Sequence, residues 1–452
     1  MPYSLSKPVF DWSGERAFIQ PSFDAKELVN SHQAAAYNFV CQTDIARYYH
    51  SIYTHSIAWA IHGKSVAKAN RSHALWGNTL DTLVRNAQDG QTIGIPVGPD
   101  TSRVIGEIVG ASIDRQLKKR IRPEPGQIAR FVDDYSIGCN TSEDANRILI
   151  HLRKAINEFE LDINYQKTVI SQSEIVSFSG WRHEVASYIP SITAEQQVFE
   201  LFFYKLHDVS HREPSSNVLS YGIKRARSVF TQCDHWNLVE SYLLTAYKAN
   251  STTLPAVVLV FLSRQATKND LNLDKISQFV NSTIAMLLTQ RKFGEASWIL
   301  FLSIYLKVPV KAKNLGNAFL EPDPLLSVLL CHANQKRLVD GALNTKIWDS
   351  FKTSDGLRSS MWLYAYEANI RGWGVPKLTD YVATDPYFGP MKLKNVRFYD
   401  GDAPLEELDA SLRHQKSIMK KRKAIVADFK EDFSIDIEEF DDDVDLTDEG
   451  YF

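Results

Sequence analysis

The chain has 452 residues, of which 44% are hydrophobic and 23% are charged. This is the composition of a soluble globular protein with more than one hydrophobic core, and it excludes wholesale disorder and fibrous repeats. The longest apolar stretch, around Leu254 to Leu262, is shorter than the roughly 20 residues that cross a bilayer, and the polar N-terminus lacks the apolar core of a signal peptide. We therefore expect a cytoplasmic protein without a membrane segment.

Cysteine usage and charge set two further limits. Four cysteines lie far apart, with no Cys-x-x-Cys pair, so neither a disulfide framework nor a thiolate zinc site is indicated. Residues 428–452 contain 12 acidic residues and one basic residue, so this tail carries a charge of −11 and leaves +8 on the rest of the chain. A basic body is compatible with a polyanionic partner, although ordinary solvated charge explains the same pattern.

The order of predicted elements indicates an α+β protein followed by helices. Short alternating apolar runs and helical periods follow one another up to about Val185. Beyond Pro190, long amphipathic segments without a fixed repeat period favour an irregular helical array. The predicted domains are a short N-terminal segment at 1–37, an α+β domain at 38–188, a helical domain with a HEAT-like or irregular array at 189–412, and a basic stretch with an acidic, mobile tail at 413–452.

Three aspartates stand at the ends of predicted strands. Asp133 and Asp134 lie between alternating apolar residues, which predicts a β-hairpin with the two acids at its tip. Asp44 ends another predicted strand far upstream. Taken singly, two acids at a hairpin tip are more often a solvated turn, and one aspartate at a strand end is more often a helix cap. It is their order along the chain that makes them informative.

A loop rich in Gly and Pro, Gly94 to Ser102, lies between these acids and leads into a predicted helix. The succession of Asp44, this loop, the Asp133-Asp134 hairpin and Lys167 resembles motifs A, B, C and D of the palm of reverse transcriptases. The resemblance implies an α+β fold with a right-hand polymerase palm and reduced fingers.

The same resemblance implies nucleotide transfer with two Mg²⁺ ions, with Mn²⁺ as the alternative ion. Asp44 and Asp133 would bridge both ions and Asp134 would complete the cluster, since Mg²⁺ prefers carboxylate oxygens and closely packed acids repel one another without cations. Lys167 would lie near the leaving pyrophosphate as a cation or proton donor. Tyr49 matches the ring beneath the sugar that rejects a 2′-hydroxyl, which implies dNTP substrates. The alternative for Lys167 is an exposed lysine at a helix end, and the alternative for Tyr49 is an ordinary packed tyrosine.

Motif B departs from the family pattern. Val97 stands where a glutamine is usual, and Arg103 stands where a proline is usual after Ser102. The resemblance assigns nucleotide and template contacts to this loop, through Gly98, Ser102 and Arg103. These contacts are therefore expected to differ from those of typical family members.

The fingers region also departs from the family, because only 43 residues precede Asp44. The fingers are absent, truncated or rebuilt. Lys64, Lys68 and Arg71 have a spacing that places them near one face of a helix, where they could supply positive charge to the triphosphate. A solvated basic face explains the same spacing equally well.

The run Ser51 to Lys64, together with Gly94 to Arg103, is most similar to the abortive-infection and defence-associated bacterial reverse transcriptases. Phe178 to Trp181 is similar to the primer-grip turn, so the resemblance covers about residues 38–185. It implies antiphage defence through DNA synthesis, in some members without a conventional template or from a protein hydroxyl. Four tyrosines are candidate primer residues: Tyr3, Tyr37, Tyr53 and Tyr451.

The expected partners are dNTPs and nucleic acid, namely a DNA product with an RNA template as one option. The helical domain has two interpretations: a scaffold for a homo-oligomer or a partner protein, or a basic surface for nucleic acid with residues such as Lys224, Arg225 and Arg227. The competing hypothesis for the whole chain is a polymerase-derived, non-catalytic scaffold or nucleic-acid-binding module.

Overall fold

The computed structural model describes residues 3–8, 18–19, 23–174, 180–214, 216–377 and 379–401. In this part of the chain, two compact units divide between Gly180 and Trp181. The basic stretch and acidic tail predicted at 413–452 lie outside the described residues, as do Phe178 and Ser179 of the Phe178 to Trp181 turn. The domain limits predicted from the sequence stay predictions.

The first unit is built on a four-stranded antiparallel sheet in the order β4 (Ile128–Phe131), β5 (Asp134–Cys139), β3 (Phe39–Asp44) and β6 (Val169–Gln172). Alternate residues of its strands face opposite sides of the sheet, and Val40, Cys41 and Ile137 are fully buried there. A separate pair of two-residue strands, β1 and β2, precedes it. The strands are β1 Lys7–Pro8, β2 Phe18–Ile19, β3 Phe39–Asp44, β4 Ile128–Phe131, β5 Asp134–Cys139 and β6 Val169–Gln172.

Helices cover both faces of this sheet. Tyr135 donates a hydrogen bond to Asp114 on helix α6 (Asp100–Arg120), whereas the next residue, Ser136, bonds Asn30 and Gln33 on helix α1 (Phe23–Ala36). Since successive strand residues point to opposite faces, α1 and α6 lie on opposite sides of the sheet. The helices of this unit are α1 Phe23–Ala36, α2 Tyr48–Ser51, α3 His55–His62, α4 Lys64–Ala69, α5 Trp76–Asn86, α6 Asp100–Arg120 and α7 Ser142–Asn157.

The segment after β3 binds the glycine-rich loop through its backbone. Gly94 donates to the carbonyl of Ile52, Ile95 donates to that of Tyr49, and Thr54 donates to that of Thr92, all at 2.8–2.9 Å. Gly94 has a φ of +85°, and a Cβ at this position would lie 3.0 Å from the carbonyl oxygen of His50. This close approach explains why the loop needs glycine here.

The second unit is helical, apart from a parallel pair of short strands, β7 Val310–Lys311 and β8 Val339–Asp340. Its core contains fully buried aromatic rings, among them Phe199, Phe202, Phe203 and Phe230. The helices are α8 Trp181–Ser187, α9 Gln196–Arg212, α10 Val218–Arg225, α11 Arg227–Gln232, α12 Trp236–Ala249, α13 Leu254–Thr267, α14 Leu273–Thr289, α15 Phe293–Leu306, α16 Gly316–Leu320, α17 Pro324–Gln335, α18 Lys346–Asp349, α19 Trp362–Arg371 and α20 Phe388–Leu393.

The architecture agrees with the predicted α+β class, with the sheet in the first unit and helices dominating the second. None of the helices in the described ranges combines the length and the apolar character that crossing a bilayer requires.

We predict that Gly94→Ala lowers the free energy of unfolding by about 2 kcal/mol or more, because an L side chain there meets both a strained backbone and the His50 carbonyl. Gly90→Ala is the matched control: Gly90 has a φ of +79° but nothing within 4 Å of its added Cβ, so only the backbone cost of about 1 kcal/mol applies. Urea denaturation of the full-length protein measures both. Equal midpoints for the two variants would contradict the close approach.

Candidate active site

Strand pairing brings the three predicted acids together. Asp44, the last residue of β3, lies directly opposite Asp134, the first residue of β5. Asp133 occupies the turn between β4 and β5, and its carbonyl accepts a hydrogen bond from the backbone of Ile45 at 3.1 Å. Residues that are far apart in the sequence therefore place their carboxylates at one end of the sheet.

A buried arginine holds the turn that presents Asp133. Val132, just before it, has a φ of +57°, which is rare for a β-branched residue. Arg130, fully buried on β4, donates from Nη1 to the carbonyl oxygen of Val132 at 2.6 Å. The same guanidinium bonds Asp114 and Glu107 on α6, each at 3.1 Å. The helix that follows the glycine-rich loop is thus tied to the acid-bearing hairpin.

The N-terminal segment completes this network. Backbone hydrogen bonds join Arg130 to Tyr3 and to Leu5, at 2.6 and 2.8 Å, and Ser4 donates its hydroxyl to Glu107 at 3.0 Å. Burial raises the pKa of Asp114, although the neighbouring Arg130 opposes that shift. Sequence reasoning missed the whole network; the one available signal was a charged residue, Arg130, inside an otherwise apolar strand.

The three carboxylates differ in their surroundings. Asp44 is only 9% exposed, and its Oδ2 accepts a hydrogen bond from Lys167 at 2.9 Å. Asp134 accepts one from Lys26 at 2.6 Å. Burial, with the nearby carboxylates of Asp134 and Asp44, raises the pKa of Asp133 to about 6. Three acids this close repel one another, and two lysines offset part of that repulsion.

The donor set fits a hard divalent cation. The second oxygen of Asp44, Oδ1, is buried and has no hydrogen-bond partner among the described residues, which is costly unless something else satisfies it. Carboxylate oxygens are the ligands that Mg²⁺ and Mn²⁺ prefer. Within the described ranges, however, no group of three or more His, Cys, Asp or Glu residues is already arranged to hold a metal ion. Asp44 and Asp133 are the residues that would hold one.

A cleft of about 180 Å³ opens beside these groups. It lies on the face of the sheet that α1 covers, and Gln42, Asp44, Asp134 and Ser136 contribute to its wall from β3 and β5. Two basic residues, Lys26 and Lys167, line the same cleft. The wall of the cleft therefore contains both acidic and basic side chains, as expected for a site that binds an anion together with a metal ion.

Comparison with protein families gives a match to the first unit of the chain. Residues 11–183 match the model of the family described as reverse transcriptase (RNA-dependent DNA polymerase). This part of the chain is a reverse-transcriptase domain. No curated protein matches the chain. The family match begins at residue 11, whereas the motifs in the sequence covered about residues 38–185. The matched region therefore includes N-terminal sequence upstream of the motifs.

Within this domain, Tyr49 packs against the helix that follows the glycine-rich loop. A Cβ at Gly106 of α6 would lie 3.3 Å from the Tyr49 ring, and the neighbouring Tyr48 donates its hydroxyl to the Gly106 carbonyl at 2.6 Å. Tyr49 is half-buried, whereas Tyr48 is almost fully buried. Tyr49 thus has a fixed ring with part of its surface open, as a sugar-contacting residue needs, and that role stays a prediction.

The predicted residues of motif B lie at the start of α6. Gly98 has a φ of +116° and is exposed, whereas Ser102 is 4% exposed. Arg103 is within 3.9 Å of Asp100, and its Nη1 is buried without a hydrogen-bond partner among the described residues. Because Ser102 is buried, it could contact a substrate only if the start of α6 moved. Arg103, in contrast, has an N–H donor at Nη1 that is available for a ligand.

The three basic residues predicted to bind the triphosphate lie in or just after α4. Lys64 donates to Glu160 at 2.9 Å and to the carbonyl of Glu158 at 2.7 Å. Lys64 and Lys68 both lie over the ring of Trp59, at 4.3 and 5.2 Å from its centroid. Arg71 is exposed. The structure therefore gives the two lysines partners within the protein, and their role toward a nucleotide stays a prediction.

The candidate primer tyrosines are not equally accessible. Tyr3 is 8% exposed, and burial, with the charge of Asp114, raises its pKa to about 12. Tyr37 packs over Gly138, where an added Cβ would lie 2.2 Å from its ring. Tyr53 is half-buried, and Tyr451 lies outside the described residues. Tyr3 is enclosed in this conformation, which argues against it as a primer.

We predict that Arg130→Met lowers the free energy of unfolding by about 3–5 kcal/mol, because it leaves the carboxylates of Glu107 and Asp114 buried without their cation. Arg147→Met, which removes an exposed partner of Asp144, should change it by less than about 1 kcal/mol. Urea denaturation measures both variants. Similar midpoints for the two would mean that the buried network does not hold the hairpin.

Proposed function

We propose that the reverse-transcriptase domain is an active DNA polymerase that transfers nucleotides from dNTPs with two divalent ions, Mg²⁺ or Mn²⁺. The observation that supports this most is the buried, unpartnered oxygen of Asp44 facing a hairpin that carries Asp133 and Asp134. A buried acceptor without a donor is a cost that a cation would remove. The family match gives the reaction type.

In this proposal, Asp44 and Asp133 are the principal ligands. When bound, the ions activate the attacking hydroxyl and neutralise charge that develops on the triphosphate. Lys167 serves the leaving group: its side chain is 70% exposed and lies 2.9 Å from Asp44, so it can turn from that carboxylate toward phosphate oxygens. From there its ammonium group would donate a proton to the leaving pyrophosphate.

Tyr49 is the proposed selector of the sugar. Its ring is fixed between Tyr48, at 5.6 Å between ring centroids, and the backbone of Gly106. A ring that cannot retreat excludes a 2′-hydroxyl by its volume, so dNTPs rather than rNTPs are the proposed substrates. Gly98, Ser102 and Arg103 are proposed to contact the nucleotide or template, and Lys64, Lys68 and Arg71 to supply positive charge nearby.

The proposed setting is antiphage defence in the cytoplasm, as in the abortive-infection group. The support is the similarity of Ser51 to Lys64 and Gly94 to Arg103 to that group. The proposal leaves three template options, RNA, DNA or none, and includes a protein hydroxyl as a primer. The helical unit is proposed to mediate homo-oligomer or partner-protein contacts.

A non-catalytic scaffold or nucleic-acid-binding module is the second candidate. Two observations favour it: the described residues contain no ready-made group of three metal-ligating side chains, and lysines are hydrogen-bonded to two of the three acids. In that case, Lys26 and Lys167 would be permanent structural partners of the acids.

We predict that Asp133→Ala reduces incorporation of radiolabelled dNTPs by on the order of 10³-fold or more, because it removes a principal ion ligand. Asp144→Ala is the matched control, since Asp144 lies on α7, where it pairs with Arg147, and should retain activity. If the wild-type protein incorporates no dNTP, or if Asp133→Ala keeps full activity, the scaffold is the better description.

We further predict that Tyr49→Ala increases the ratio of rNTP to dNTP incorporation at least about tenfold, because the smaller side chain leaves room for the 2′-hydroxyl. Tyr53→Ala, which changes a tyrosine packed on Trp59 instead, should leave the ratio unchanged. Competition between labelled rNTP and dNTP measures this ratio. An unchanged ratio in Tyr49→Ala would remove Tyr49 from sugar selection.

A further inference from the structure

Residues 45–80 form a basic segment, which contains no Asp or Glu and four Lys or Arg residues. The next acid in the sequence, Asp81, is 4% exposed and already bonds His55 and Arg85, so it does not offset this charge at the surface. Two cations and one histidine of the segment are exposed close together in the sequence: Lys68, Arg71 and His73. A surface with charge of one sign attracts a polyanion.

The loop between α4 and α5 is fixed against the first turns of α5. Asn78 donates from Nδ2 to the carbonyls of Asn70 and Ser72, at 2.9 and 2.8 Å. Thr79 donates its hydroxyl to the carbonyl of His73 at 3.3 Å. The exposed basic side chains of this loop therefore project from a fixed backbone beside the start of α5, and binding a ligand there orders little additional backbone.

Trp76, the first residue of α5, combines a fixed position with an open ring. It is 57% exposed, and its ring makes a T-shaped contact with His62 at 5.8 Å between centroids. The backbone of Gly77 donates to Nε2 of the same histidine at 3.1 Å, and a Cβ at Gly77 would lie 2.9 Å from the imidazole. Since a T-shaped contact covers at most one face of a ring, a face of the indole is available to a planar partner.

These side chains lie outside the cleft beside the acids. None of the residues that line that cleft belongs to α4, α5 or the loop between them. The start of α5 packs on α3, where a Cβ at Gly77 would lie 3.0 Å from Cα of Ala58. Helix α3 in turn packs on α6, because Ser112 donates its hydroxyl to the carbonyl of Ala60 at 2.8 Å. A ligand on the outer side of α3 is therefore distinct from one in the cleft.

We propose that Lys68, Arg71, His73 and Trp76 form a second nucleic-acid site, which binds single-stranded nucleic acid by stacking a base on the indole and pairing phosphates with the basic side chains. Stacking on an aromatic side chain requires an unpaired base, whereas the bases of a duplex stack on one another. This inference goes beyond the proposed function, because it does not require catalysis by the acid cluster. Lys68 and Arg71, whose proposed contribution to the nucleotide is long-range charge, contact the phosphates of this strand directly.

Binding of a labelled single-stranded oligo(dT) to the full-length protein, followed by fluorescence anisotropy in EDTA, tests the stacking without divalent ions. We expect Trp76→Ala to raise the Kd at least about fivefold and Trp76→Phe, which keeps a ring, to change it by less than about twofold. Leu83→Ala is the matched control, because Leu83 is 60% exposed on the same helix but has no ring. A duplex of the same length should bind with equal affinity to wild type and Trp76→Ala.

The salt dependence of the same binding tests the phosphate contacts. Arg71→Met should reduce the slope of log K against log salt concentration by about 0.7, the value for one phosphate contact on a single strand. Arg147→Met removes an equally charged, exposed residue of α7 and should leave the slope unchanged. Competition with unlabelled oligo(dT) and oligo(U) decides whether the strand is DNA or RNA.

Photocrosslinking of an oligonucleotide that contains 5-iodouracil, with mass spectrometry of the peptides, locates the strand. The crosslinked peptide should contain Trp76. Equal affinities for wild type and Trp76→Ala, or crosslinks confined to peptides outside residues 68–76, would overturn the inference. Anionic phosphatidylglycerol vesicles that exclude the oligonucleotide and bind wild type but not Trp76→Ala would assign the surface to a membrane instead.

The outcome is separable from that of the proposed function. A wild-type protein that incorporates no dNTP but crosslinks at Trp76 would leave this inference standing and remove the polymerase activity. Incorporation without any effect of Trp76→Ala on binding would do the reverse. Circular dichroism of each variant confirms that the fold is retained in the comparison.

Discussion

The antiparallel pairing of β3 with β5 is the constraint on which the acid cluster depends. It sets Asp44 opposite Asp134, and a slip by one residue would turn one of these carboxylates to the other face of the sheet. The turn that carries Asp133 is held from outside the cluster by buried Arg130, which bonds the turn carbonyl of Val132 and two carboxylates of α6. A buried ion network outside the acid cluster therefore positions the turn that carries one of its acids.

The helices on the two faces of the sheet make different contacts with the acid-bearing hairpin. On one face, α6 supplies Glu107 and Asp114 to the arginine and follows the loop of motif B, so hydrogen bonds connect the helix after that loop to the acid hairpin. On the other face, α1 brings Lys26 to Asp134. Packing thus sets the positions of the acids, and it also places the Lys26 ammonium where it offsets part of their negative charge.

The sequence predicts the parts of the site that are encoded locally. Alternating apolar residues around the Asp133-Asp134 pair predict a hairpin, and the structure has one; Asp44 indeed ends a strand. The class of the fold follows from the same patterns. What the sequence does not predict are partners set by tertiary packing: Lys26 lies in an unremarkable helix, and the strand-like pairing of Ser4 with Arg130 has no local signal. The basic residues Lys64 and Lys68 fit a helical face by spacing, and both lie over the nearby ring of Trp59. Only the partners of Lys64 just after α7, Glu158 and Glu160, come from distant sequence.

The central claim is that Asp44 and Asp133 form one ion site. Replacing Mg²⁺ with Fe²⁺ and adding hydrogen peroxide, with ascorbate to regenerate Fe²⁺, generates hydroxyl radicals at the bound ion. These radicals cut the backbone nearby, and mass spectrometry locates the cuts. The account predicts cuts around both residue 44 and residues 133–134, suppressed together by excess Mg²⁺ and absent in Asp44→Asn. Cuts confined to one of the two segments, or cuts that excess Mg²⁺ does not suppress, would contradict it.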